Sequence, residues 1–269
     1  MKQNELISSK DNARLKAARQ IRDGREKSAI FIEGFRLADE ALRSSVGIRE
    51  CFVTEAFCNG PKESEMLATL KARKVSISPC SEAAFRSIAD TANPQGIVLI
   101  ADRPSNIEFA QVLASNGPLL IVYCFEINDP ANLGALMRTA GAAGASCLVL
   151  SPRSADPFSP KALRASMGAA FRLPTAKNIE IEVLAKLAAE KKIQMIGTAA
   201  EAGDLVYEID LRRPTIIVLG GEANGLPPEV LAVCSKVVRI PMERAAESLN
   251  LAVSGGIIIY EAVRQRLPS

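Results

Sequence analysis

The run Leu119-Leu-Ile-Val-Tyr-Cys-Phe125 carries no charged residue and no alternation. A strand apolar on both faces must be covered on both, which is the situation in parallel sheets whose crossover helices pack above and below. The run ends in a polar loop, Glu126-Ile-Asn-Asp-Pro-Ala-Asn132-Leu-Gly134. A small-residue helix is predicted from Ala135 to Gly144, with Arg138 near its start, and then a second strand, Cys147–Leu150. Strand, loop, helix and strand make one βαβ unit. Further strands are expected at Met195–Ala199, Pro214–Leu219 and Val237–Ile240, with an amphipathic helix over Glu180–Lys191.

The residues before this run read as a smaller α/β unit. Asn12 and its neighbours offer N-caps for a helix over Ala13–Arg22. Strands are expected at Ser28–Glu33, Ile48–Thr54, Val75–Ser78 and Gln95–Ala101. Helices are expected at Phe35–Arg43, Glu63–Ala72 and Ser81–Ile88. A polar break at Asp102–Asn106 and a second at Ser115–Pro118 give a domain over 1–104, a linker over 105–117 and a domain over 118–269.

Histidine is absent from all 269 residues. That removes Ser-His-Asp and Cys-His nucleophiles, His-ligated metals and the commonest general base. The six cysteines are scattered without a C-x-x-C pair, so buried reduced thiols are expected, with neither disulfide framework nor metal site. No apolar run approaches the ~20 residues of a membrane span, and the N-terminus has no apolar signal core, so the cytoplasm is expected. The net charge of +3 is carried entirely before residue 104. The segment Lys10–Lys27 concentrates bases, which fits either a polyanion-docking arm or a solvated helix face.

Two glycine-bearing stretches stand apart. Gly220-Gly-Glu-Ala-Asn-Gly225 follows a strand but fails both phosphate-loop patterns. Glu222 stands where G-x-G-x-x-G needs glycine, and Leu226 stands where the other loop needs lysine. It fits a different ligand or a plain strand-to-helix turn. Gly255 and Gly256 lie inside a helix predicted over Leu251–Arg266. Each costs about 1 kcal/mol relative to alanine there, which points to close approach of another backbone.

Taken jointly, N-x-G-x-x-x-R at 132–138, L-G-G-E-x-x-G-L at 219–226 and I-P-M…S-L-N at 240–250 resemble the three motifs of the SpoU (TrmH) family. These are RNA ribose 2′-O-methyltransferases of the SPOUT class. Phe31-Ile-Glu33-Gly34 and the helix after it resemble the substrate-binding domain often fused in front, similar to a ribosomal protein of the L30 type. One departure is Ala223, where the family commonly has glycine.

The resemblance implies a C-terminal SPOUT domain with a parallel sheet and a deep trefoil knot, plus the smaller N-terminal L30-like domain. It implies a homodimer, and S-adenosyl-L-methionine as cofactor, contacted around Leu219, Gly220, Gly221, Ile240, Met242 and Leu249. Asn132, Arg138, Glu222, Ser248 and Asn250 would form the polar site at the reacting ribose. Lys10, Arg14, Arg22, Arg25, Arg36 and Arg164 would meet RNA phosphates, ribosomal RNA ahead of transfer RNA. A non-catalytic RNA-binding or ribosome-assembly factor on the same fold is the competing reading. The joint presence of Asn132, Arg138, Glu222 and Asn250 argues against it.

Overall fold

A computed structural model describes residues 5–114, 119–222, 224–243 and 248–267. The expectations for the 115–118 break and Ala223 lie outside the described residues, as do residues 244–247 within the third motif stretch. The chain divides into two compact units: residues 1–104 with 158–171, and residues 105–157 with 172–269.

The first unit is a four-stranded sheet of β1 (Ala29–Glu33), β2 (Ile48–Thr54), β3 (Ser76–Cys80) and β4 (Ile97–Asp102), in the order β1-β4-β2-β3. β4 is antiparallel to both neighbours and β2 is parallel to β3. The helices are α1 (Ala13–Arg22), α2 (Phe35–Leu42), α3 (Pro61–Ala72) and α4 (Glu82–Arg86). Leu15 and Ala18 of α1 and Phe85 of α4 bury against Phe31, Phe52 and Val98 of the sheet. β3 runs through Pro79, two residues past expectation. As an edge strand it tolerates a missing N–H donor, and Ile7 covers its free side by donating to the Pro79 carbonyl at 2.9 Å.

Residues 158–171, expected within the C-terminal domain, belong to this first unit. A helix at Pro160–Ser166 packs on β1, and Arg164 Nη1 donates to Asp90 Oδ2 at 2.6 Å. Arg103 lies 5.2 Å from the Phe158 ring centroid.

The second unit begins with α5 (Phe109–Leu113). Its Phe109 and Leu113 are buried in the core, so residues 105–114 are packed structure where a linker was expected. Then come β5 (Leu120–Phe125), α6 (Pro130–Ala142), β6 (Cys147–Leu150), α7 (the Pro160–Ser166 helix of the first unit), β7 (Thr175–Lys177) and α8 (Ile181–Glu190). β8 (Gln194–Thr198), β9 (Asp204–Leu205), β10 (Thr215–Gly220), α9 (Pro228–Ala232), β11 (Lys236–Arg239) and α10 (Leu251–Arg266) complete it. Among the described residues the sheet has seven strands in the order β7-β6-β5-β10-β8-β11-β9, every pairing parallel. β5, β6 and β10 are buried almost end to end because helices cover both faces. α5, α8 and α9 pack on the face holding Tyr123 and Val218. α6 and α10 pack together on the other.

α10 is fixed at both ends. Asn250 caps its start, its Oδ1 accepting from Ala252 N at 2.9 Å and Val253 N at 3.3 Å. At the far end Gln265 Nε2 donates to the Ile209 carbonyl at 3.0 Å, and Arg266 donates to the carbonyls of Leu211 and Arg213 at 2.8 and 2.7 Å. No described helix is long and apolar enough to cross a membrane.

Candidate active site

β10 delivers the glycine loop at its C-terminal end, and the loop folds tightly on itself. Gly225 N donates to the Gly221 carbonyl at 3.0 Å, and Gly225 has φ +61°. A Cβ on Gly220 would lie 2.3 Å from the Gly225 carbonyl, and one on Gly221 would lie 2.7 Å from the Glu126 carbonyl oxygen. Both glycines are thus required by the protein's own backbone, whatever binds beside them. Gly255 has a different origin: in place of the close backbone expected from the sequence, leucine side chains press on it. Its Cβ would sit 2.6 Å from Leu136 Cδ1 and 2.9 Å from Leu219 Cδ1, whereas one on Gly256 would meet only Thr139 Cγ2 at 3.6 Å.

The helix predicted from Ala135 starts five residues earlier. Pro130 occupies its first turn, and Asp129 caps it by accepting from Ala131 N at 3.1 Å. Asp-Pro is a helix-start signal, and it moves Asn132 from a loop into the first turn of α6. Arg138 is then in the third turn rather than near the start. Six residues on from Asn132, it points about 120° away from it, given roughly 100° per residue.

Three segments converge at one point. Asn132 Nδ2 donates to Glu222 Oε1, and Asn250 Nδ2 donates to Asn132 Oδ1 at 3.0 Å. Asn250 is itself held by its capping bonds to α10. This chain of contacts borders a cleft of ≈ 570 Å³ lined by Gly220, Gly221, Ile240, Met242, Leu249 and Ser248, with Glu222 and Asn250. Of the six expected cofactor residues only Leu219 stays out, buried at 1% exposure under Gly255. Arg138 is exposed and does not line the cleft.

The cleft also takes Thr198 at the end of β8, Ala199 and Ala200 just after it, and Ser254 and Ile258 of α10. Sequence reasoning did not single these out. The signal for 198–200 was available, because ligands in open parallel sheets bind outside the carboxyl ends of strands. A second cavity of ≈ 380 Å³ lies across the glycine loop, with Gly221, Glu222, Asn224 and Gly225 lining both.

Residues 119–260 match the sequence profile of the SpoU rRNA Methylase family, and residues 31–106 match that described as RNA 2′-O ribose methyltransferase substrate binding. The chain belongs to the SpoU family. An uncharacterized tRNA/rRNA methyltransferase of Synechocystis sp. is 31% identical over 97% of this chain and 94% of its own length. The 23S rRNA (guanosine(2553)-2′-O)-methyltransferase of Bacillus subtilis is 29% identical over 94% of this chain and 97% of its own. The AdoMet-bound rRNA methyltransferase of Sinorhizobium meliloti superposes with a TM-score of 0.83 at 28% identity, covering 99% of this chain and 100% of that one. The three motif stretches come from distant parts of the chain, and the structure joins them through Glu222, Asn132 and Asn250.

The proposed phosphate-binding bases divide. Arg14 is ion-paired with Glu50 and lies 5.8 Å from the Phe52 centroid. Arg22 donates to the carbonyls of Ser87, Ile88 and Ala89 at 3.4, 3.1 and 3.1 Å, and Arg164 pairs with Asp90. These three are tied into the fold, while Lys10, Arg25 and Arg36 are exposed.

Proposed function

We propose that this protein methylates a ribose 2′-hydroxyl of RNA, ribosomal RNA in particular, using S-adenosyl-L-methionine bound in the larger cleft. The observation that carries the reading is the Glu222–Asn132–Asn250 chain at the border of that cleft. The lining suits the cofactor: Ile240, Met242 and Leu249 offer apolar cover for an adenosine, and the glycine backbone and Ser248 offer polar contacts. A volume of ≈ 570 Å³ falls in the usual range for such ligands.

S-adenosylmethionine supplies a methyl group on an already activated sulfonium. The protein's task is therefore alignment, which can lower a barrier by several kcal/mol. Asn250 is immobilised by α10 and holds Asn132. Asn132 in turn fixes the carboxylate of Glu222, which accepts the hydrogen bond of the 2′-hydroxyl and takes up its proton. None of this requires histidine. An arginine stays protonated, so Arg138 grips the phosphate next to the acceptor sugar rather than acting as base.

The active form is a homodimer. α10 exposes Val253 at 51% and Tyr260 at 49% on the solvent side of the α6–α10 pair, an apolar surface suited to a second copy. Because Arg138 is exposed on α6 of that pair, the dimer would deliver it to the partner's cleft. A deep trefoil knot in the C-terminal unit belongs to the same reading, as does action on RNA in the cytoplasm. Lys10, Arg25 and Arg36 supply the phosphate contacts of the first unit.

The test is calorimetry with S-adenosylmethionine, followed by transfer of labelled methyl to RNA and mapping of alkali-resistant linkages. Cofactor binding with 2′-O-methylated product supports the proposal. Methylated bases, or RNA binding without cofactor binding, would defeat it.

A further inference from the structure

We propose that the second cavity receives the unstacked base of the acceptor nucleotide, and that Glu126 selects guanine there. This rests on the reading above, since it takes the ribose to face Glu222, which lines both cavities.

The cavity lies where a ligand is expected from topology alone. The connection leaving β5 runs to β6 on one side, and the connection leaving β10 runs over β8 to β11 on the other, so the crossovers diverge between the neighbours β5 and β10. The crevice outside the carboxyl ends of two such strands is the general ligand position of open parallel sheets. Here it is lined by Phe125 at the end of β5, by Glu126 just after it, and by Gly221 and Glu222 after β10.

Its side chains are those that read a single-stranded base. Unstacked bases are held against aromatic rings or guanidinium planes and hydrogen-bonded along their Watson–Crick edges. Phe125 and Arg153 supply the first kind of contact, Glu126 and Asn128 the second. Glu126 and Arg153 form an ion pair although they come from loops after different strands. Both have left-handed backbones, with φ +48° and +66°, a conformation that is uncommon for such residues and clusters at functional sites. The surroundings enforce it. Glu126 N donates to Ser151 Oγ at 2.8 Å, and Ala155 N donates to the Ile127 carbonyl at 2.7 Å. The Glu126 carbonyl lies against Gly221, where any Cβ would collide.

A carboxylate only accepts hydrogen bonds, through two oxygens with room for about four donors. Guanine alone has two adjacent donors on its Watson–Crick edge, N1–H and N2–H. Adenine and cytosine put an acceptor beside the amino group, and uracil flanks its one donor with acceptors. Glu126 can therefore satisfy guanine twice while still held by Arg153, and any other base at most once.

The experiment titrates 5′-GMP, AMP, CMP and UMP into the full-length protein saturated with S-adenosylmethionine, followed by saturation-transfer NMR. GMP is expected to bind roughly tenfold more tightly than the others, in keeping with one bidentate base contact. Glu126→Gln, which presents one donor and one acceptor, should abolish the preference while leaving cofactor affinity and melting temperature close to the parent. Arg153→Ala should keep it, because Ser151 still pins residue 126. Equal binding of the four nucleotides, no binding, or a preference that survives Glu126→Gln overturns the inference. Methyl groups mapped to a ribose other than guanosine's also overturn it while leaving the methyltransferase reading intact, whereas failure to bind S-adenosylmethionine strikes that earlier reading instead.

Discussion

Asn250 Nδ2 donates to Asn132 Oδ1 at 3.0 Å across 118 positions of sequence, while the Asn250 Oδ1 caps α10. One side chain thus does two separable jobs. Asn250→Asp keeps the capping oxygen and removes the donor, so it should leave the melting temperature nearly unchanged and cut methyl transfer sharply. Asn250→Ala removes both and should also cost about 1 kcal/mol of stability, the usual value of an N-cap. Equal activity of the Asp variant and the parent would separate this bond from catalysis.

The adjacent glycines of α10 should behave oppositely. Alanine at 255 would bring its Cβ to 2.6 Å from Leu136 and 2.9 Å from Leu219, and overpacking of this kind costs about 1–3 kcal/mol. Alanine at 256 meets only ordinary contact at 3.6 Å, so helix propensity should stabilise it by up to ~1 kcal/mol. Thermal denaturation of the two variants decides the matter; a stabilised Gly255→Ala would refute the packing.

These glycines also mark what the sequence could say. Their presence in a helix pointed to close approach, but nothing in a Gly-Gly pair distinguishes the member facing Leu136 from the one facing Thr139. Strand order within the βαβ run is legible because hydrophobic period encodes it, whereas Asn132, Glu222 and Asn250 stand out only through the resemblance of three motifs to the SpoU family. The start of α6 is not legible from apolar period, because Asp129-Pro130 serves as cap and first turn while carrying the composition of a loop. Charge was the least legible property. Arg22 and Arg164 have the same composition as Arg25 and Arg36, and only the fold reveals that the first two already have carbonyl and carboxylate partners.

That division gives a prediction about RNA. Replacing Lys10, Arg25 and Arg36 with alanine should leave the melting temperature unchanged and weaken RNA binding. It should also flatten the dependence of log affinity on log salt by roughly two to three units. Arg22→Ala should instead destabilise the protein by about 1–3 kcal/mol, since three carbonyl oxygens lose a charged donor. An unchanged salt slope in the triple variant would remove those bases from the RNA interface.

Alkaline pH should weaken the fold. Burial pushes the Cys80 and Cys234 thiols from the ordinary 9.0 up to about 11, and that of Cys147 up to about 12. Below pH ~9 folded and unfolded chains both hold these protons, so the thiols add no pH dependence there. Above it only the unfolded chain releases them, and stability falls as pH rises towards 11. Melting temperatures from pH 7 to 10.5 should be level and then decline. The buried thiols of Cys80 and Cys147 should resist alkylation at pH 8 until denaturant is added, and rapid labelling of these two in the native protein would contradict their burial.

Arg138 supplies the most stringent test of the shared-site dimer. It is exposed on α6 outside the cleft, whereas Asn132, Glu222 and Asn250 meet at the cleft's border within one chain. If Arg138 serves the partner's cleft, Arg138→Ala and Asn132→Ala homodimers should each be nearly inactive. A mixture allowed to exchange subunits should regain up to about a quarter of parental methyl transfer. Half of randomly exchanged dimers are hybrids, and each hybrid has one site with both wild-type residues, so the estimate follows from the closed two-fold arrangement of such a dimer. If Arg138 acts within its own chain, no hybrid contains an intact site and mixing restores nothing. Labelled-methyl incorporation before and after subunit exchange distinguishes the two arrangements, with sedimentation confirming that hybrids have formed.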